Sequence, residues 1–132
     1  MRAAASRLAL LALLVLPAAC ANRAETTQRF PVFFQEWSAA LDQPATNTVA
    51  AAANWAQEHP NAPVTVNGYA DPEGSQKANI AMSRTRAQVV ADQLQRDGVA
   101  RDRIRMTAQG PTDFQLSALE SRRVEILIPT PR

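Results

Sequence analysis

One cysteine, one histidine and one lysine are all this chain of 132 residues holds of those three types. A lone cysteine cannot close an internal disulfide. With a single histidine beside it, the chain also lacks the clustered Cys and His ligands of a zinc site. No cofactor and no metal is therefore expected. Basic charge is scarce once it is placed: of 14 Lys and Arg, Arg2 and Arg7 fall in the first twenty residues, whereas all 12 Asp and Glu lie beyond them. The remaining side-chain charges cancel, and with Lys77 as the only lysine the chain offers a poor surface for tracking phosphates. Nucleic acid is excluded as a partner on that ground. Long apolar runs are missing too. The one unbroken run, Leu8–Leu16, falls well short of the roughly 20 residues a spanning helix needs. The length allows one ordinary domain with little left over.

That short run has a clear context. Two arginines precede it and Pro17-Ala18-Ala19 follows it, the three-part plan of a secretory signal peptide. Cys20 comes directly after, so that Leu16-Pro17-Ala18-Ala19-Cys20 resembles a bacterial lipobox, with Pro17 departing from the usual Leu. The resemblance implies that Cys20 is acylated and becomes the new N-terminus. Ala21, which is not Asp, then implies sorting to the outer membrane, with the protein lipid-anchored and facing the periplasm. Ordinary cleavage after Ala21, leaving a soluble periplasmic domain, is the alternative. The expected division is a lipoprotein-type signal peptide over 1–19, the acylated Cys and a short tether over 20–29, and one folded domain over 30–132. Residues 21–29 reach about 30 Å fully extended, at roughly 3.3–3.6 Å per residue.

Within the domain, Phe30–Phe34 is rich in aromatic and β-branched residues and reads as a strand, with Pro31 at its start or on a sheet edge. Asp42, Gln43 and Pro44 form a helix entrance, and Val49, Ala52, Ala53 and Ala56 fall at helical spacing along Thr46–Glu58. Trp37, Leu41 and Trp55 are read as packing residues in preference to ligand-stacking ones, and His59 as a capping or solvated residue at the helix end in preference to a catalytic or metal-bound one. Pro63–Tyr69 alternates as a strand, Asp71-Pro72-Glu73-Gly74 is turn chemistry, and Ser75 is the expected N-cap of a helix that stops at Gly98. Arg103–Gln109 is a further strand with Ile104, Met106 and Ala108 inward. Asp113–Glu120 is a short connection, and Arg122–Ile128 a last strand with Val124, Ile126 and Ile128 on one face, ended by Pro129-Thr130-Pro131.

The chemistry concentrates between Asn67 and Leu94. Asp71 and Arg86 stand either side of a capped helix start, and two opposite charges on a rigid frame suit a zwitterionic ligand. Asn79, Arg86 and Val90 share a helical stripe beside the apolar face, where an arginine must have a partner. Two readings of Arg86 stand side by side: a ligand clasp, or a structural residue that pairs with a carboxylate or caps a strand end. Arg122 shares the parity of the core-facing residues of its strand and is expected to turn toward the same place.

The stretch NGYADPEGSQKANIAMSRTRAQVV resembles the central motif of OmpA-like peptidoglycan-binding domains, roughly G-(H/Y)-(T/A)-D-x-x-G-(S/T)-x-x-x-N-x-x-L-S-x-x-R-A-x-x-V. The family's Asp falls on Asp71, its Gly on Gly74, its Asn on Asn79, its Ser on Ser83 and its Arg-Ala on Arg86-Ala87. Tyr69, Ala70, Met82 and Ser121 depart from the usual residues. The resemblance extends from Phe30 to Ile128. It implies an α/β fold, an α+β two-layer sandwich in β-α-β-α-β-β order, with a mixed four-stranded sheet and both helices on one face. It further implies that Arg86 takes the carboxylate and Asp71 the ammonium at the free end of meso-diaminopimelate, with Asn79 holding the Asp71 turn or touching the peptide and Arg122 nearby. Peptidoglycan is the expected partner, and the outer membrane is tied to it through the acylated Cys20. The alternative is a lipoprotein that binds other envelope proteins, as partners of the Tol system do. An enzyme is not expected, since neither a nucleophile nor a tuned acid–base pair accompanies Asp71 and Glu73. On this reading, Asp71→Ala and Arg86→Ala both fold and both lose the wall.

Overall fold

The computed structural model describes residues 26–72, 74–111 and 121–130. The expected signal peptide, Cys20 and the Asp113–Glu120 connection lie outside the described residues. Strand β1 (Thr26–Phe33) is followed by helix α1 (Gln43–Glu58), β2 (Val64–Ala70), α2 (Gln76–Arg96), a 3-10 turn at Arg101–Arg103, β3 (Ile104–Pro111) and β4 (Arg123–Thr130). The sheet order is β1-β4-β2-β3. β4 runs antiparallel to β1 and β2, while β2 and β3 are parallel, which makes the sheet mixed. Among the described residues, no helix is long and apolar enough to cross a membrane.

β1 starts at Thr26, four residues before the expected domain boundary. Thr26–Arg29 are all exposed and show no apolar alternation; pairing with Leu127, Ile128, Pro129 and Thr130 makes them a strand. Pro31 lies inside β1, where the open edge of the sheet tolerates a missing donor. Pro129 does not end the sheet either. It lies within β4 opposite Thr27, beyond the last β2–β4 pair at Thr65 and Leu127, so no second neighbour asks for its N–H.

Both helices are capped as expected. The Asp42 carboxylate accepts from Ala45 N–H at 2.9 Å, and the Ser75 hydroxyl from Ala78 N–H at 3.4 Å. The His59 backbone closes α1, and its ring Nδ1 lies 2.8 Å from Trp55 O. Gly98, at φ 101°, lets Val99 N–H return to Leu94 O at 2.9 Å. The core lies between the helices and one sheet face. Val49, Ala52, Ala53 and Ala56 of α1 and Val90 and Leu94 of α2 cover Val32, Val64, Val66, Val124, Ile126 and Ile128. Met106 departs from expectation: it is 45% exposed, because β3 is an edge strand whose flank the helices leave partly uncovered.

One close approach fixes where α2 sits. A Cβ on Gly68 would run into the backbone carbonyl of Ser83, with Ala87 Cβ behind it at 3.2 Å. Backbone cannot move aside as a flexible side chain can. Gly68→Ala is therefore expected to cost about 3 kcal/mol or more, read as a lower urea midpoint with an unchanged m-value.

Candidate functional site

A cleft of about 480 Å³ opens where β1 and β2 end, α2 begins and β4 starts. Asp71, Asn79, Arg86 and Arg122 all line it. The four site residues read from the sequence thus meet in one place, drawn from three separate segments.

The turn after β2 is held from α2: Asn79 Nδ2–H donates to the Asp71 carbonyl at 2.8 Å. This answers one of the two readings of Asn79, which props the turn. The Asp71 carboxylate does not face Arg86 directly. It accepts from Arg122 Nη1 at 3.3 Å, in a pair whose side chains are 27% and 15% exposed. Arg122 is bound into the frame by its backbone, since its carbonyl accepts from Phe34 N–H at 3.0 Å, and its Nε reaches Phe34 O at 3.4 Å.

Arg86 is 2% exposed. Its Nε donates to Ser38 O at 2.8 Å and its Nη2 to Gln35 O at 3.0 Å. The guanidinium carbon lies 5.3 Å from the centre of the buried Phe34 ring. Of the structural alternatives for Arg86, the structure has the second: it caps the chain leaving β1. Yet no carboxylate lies within ion-pair distance of it among the described residues, and Nη1 carries no hydrogen bond there. Its pKa is lowered, chiefly by burial and next by Arg122, with Asp71 acting the other way. A buried guanidinium without an ion-pair partner among the described residues thus borders the cleft, beside a carboxylate paired with a second arginine.

Two further lining residues were not among the expected site residues. Glu36 and Trp37 reach the cleft from the turn after β1, a turn that Arg86 of α2 holds by hydrogen bonds to Gln35 and Ser38 across about fifty residues of sequence. Trp37 is 79% exposed, which corrects its reading as a packing residue. Leu41 and Trp55 do pack against the core. With Glu36 counted, the described residues of the cleft include two carboxylates and two guanidinium groups, both signs that a zwitterionic ligand needs. A second groove, about 590 Å³, lies at the far end of the sheet between Glu58–Pro63 and Pro129, and has no such pairing of charges among the described residues. No group of three or more His, Cys, Asp or Glu capable of holding a metal ion occurs among the described residues.

A sequence model of the OmpA family matches residues 33–123. A peptidoglycan-associated lipoprotein of Legionella pneumophila is 35% identical over 86 residues, covering 61% of this chain and 49% of the relative. The peptidoglycan-binding protein ArfA of Mycobacterium tuberculosis is 41% identical over 75 residues, covering 52% of this chain and 23% of the relative. The chain thus spans about half the length of the first and about a quarter of the second. Among solved structures, the OmpA-like domain of FopA1 from Francisella tularensis superposes with a TM-score of 0.74 at 24% identity, over 81% of this chain and 75% of that one. That likeness establishes the fold.

Proposed function

The chain belongs to the OmpA family, and we propose on that premise that its cleft binds peptidoglycan without covalent chemistry, gripping the free end of diaminopimelate in the stem peptide. The observation that carries this reading is the buried Arg86 guanidinium, which has carbonyls and an aromatic face for partners but, among the described residues, no carboxylate at ion-pair distance. A ligand carboxylate at Nη1 supplies the missing anion through a charge-assisted bond. The ammonium on the same ligand carbon goes to Asp71. Arg122 holds that carboxylate in place, and Asn79 fixes the turn beneath it. Two relatives whose names state peptidoglycan association or binding support the same partner. The role is capture rather than catalysis.

Anchoring completes the function. Acyl chains on Cys20 hold the protein to the outer membrane, each buried CH₂ contributing about 0.8 kcal/mol, while the domain faces the periplasm and the wall. Many modest clasps along one polymer then act together. Growth with labelled palmitate is expected to label the wild type and leave Cys20→Ser unlabelled; equal labelling of both would remove the anchor from this account.

Co-sedimentation with purified sacculi tests the binding itself. The wild type is expected in the pellet and free meso-diaminopimelate is expected to release it. A wild type that stays in the supernatant would turn the reading toward an OmpA-like scaffold for protein contact.

A further inference from the structure

Trp37 is an aromatic residue that the fold does not use. It is 79% exposed, and its φ of 55° is the single positive value outside glycine among the described residues. That left-handed backbone strains a bulky residue, whereas glycine adopts it freely. A side chain that buries little of itself returns nothing to the fold for this strain.

The turn beneath it is nonetheless held firmly. Ser38 N–H donates to Gln35 O at 3.2 Å, and Arg86 binds the carbonyls of both residues, at 3.0 Å for Gln35 and 2.8 Å for Ser38. The guanidinium that borders the cleft thereby sets the indole on its rim. Ala70, Ala78 and Met82 also line the cleft and present hydrocarbon without charge.

We propose that Trp37 is a specificity-determining residue of this site, its indole packing on the hydrocarbon stem that leads away from the clasped ammonium–carboxylate head. The proposal rests on the reading of the cleft as a diaminopimelate site and names what that site measures. An ammonium and a carboxylate on one carbon occur on every free amino acid, so the charged clasp alone cannot recognise a diamino acid. The methylene chain is what differs, and only an apolar wall reads it. An indole gives a large, rigid contact area with few torsions to freeze.

Trp37→Gly separates binding from folding, because glycine relieves the backbone. Its melting temperature is expected to be no lower than that of the wild type, while its affinity for free meso-diaminopimelate falls about tenfold. Trp37→Phe is expected to recover most of that loss. In a Trp55→Phe background, saturating free meso-diaminopimelate is expected to shift Trp37 emission to the blue and protect it from acrylamide; glycine, a head without a stem, is expected to do neither. Unchanged affinity in Trp37→Gly, or equal quenching with and without ligand, overturns the proposal. Loss of sacculus binding with unchanged affinity for the free diamino acid also overturns it, assigning the indole to another part of the polymer. A wild type that binds neither sacculi nor the free diamino acid overturns the functional reading beneath it.

Discussion

Arg86→Ala is expected to lower stability by roughly 2–3 kcal/mol and to weaken retention on sacculi about 100-fold. The stability loss follows from the two carbonyls that Arg86 serves. Gln35 O and Ser38 O lose charge-assisted donors from a residue that is 2% exposed. Each such bond contributes about 1.5–3 kcal/mol. Against that loss stand the relief of a buried cation and of its repulsion with Arg122, so the net falls below the sum. The variant is expected to stay folded but weakened, because on this reading Arg86 is a structural residue and a ligand residue at once. Arg86→Lys keeps the charge and loses the planar fork. One ammonium cannot serve two carbonyls and a ligand carboxylate in their separate directions, so Lys is expected to recover part of the stability and little of the binding. Urea denaturation beside sacculus sedimentation reads both effects. Wild-type retention by Arg86→Lys would show that charge alone suffices, and would sink the directional clasp.

The same double role explains what the sequence made legible. α2 announced itself through Ser75, the apolar stripe and Gly98, and all three hold. Arg122 was placed by strand parity, a local rule that survives because β4 is regular up to its first residue. Asp71, Asn79 and Arg86 lie within sixteen residues of each other, inside one strand–turn–helix unit, so spacing alone could bring them together. Glu36 and Trp37 could not be found that way. Their turn lacks periodicity, and its place beside α2 depends on hydrogen bonds across about fifty residues of sequence. Thr26–Arg29 escaped for a related reason: an exposed edge strand shows no hydrophobic alternation, and only its partner β4 defines it. The Met106 error has the opposite cause. Its alternation was real, but a pattern along one strand does not say whether that strand lies at the sheet edge.

Asp71→Asn is expected to abolish sacculus retention and to reverse the ligand preference of the cleft. The substitution keeps shape, and it leaves the Asp71 carbonyl where Asn79 holds it at 2.8 Å, so the turn survives. Only the charge goes. Arg122 then loses its ion-pair partner at 3.3 Å, and Arg86 loses the one nearby charge that opposes the lowering of its pKa. Among the described residues, two guanidinium groups then face the cleft with Glu36 as the carboxylate left to balance them. The cost to stability is expected to be about 1 kcal/mol, since the pair is partly exposed, and added salt is expected to return part of it by screening the two arginines from each other. Binding changes sign rather than merely size. A ligand ammonium that met a carboxylate now meets net positive charge, whereas a ligand carboxylate finds a stronger field. The wild type is expected to bind free meso-diaminopimelate more tightly than pimelate, the same chain without amino groups, and Asp71→Asn is expected to prefer pimelate. Calorimetric titration of both ligands against both proteins gives the four affinities needed. Should Asp71→Asn keep the wild-type order, the ammonium is not held at this residue, and the clasp reduces to Arg86 alone.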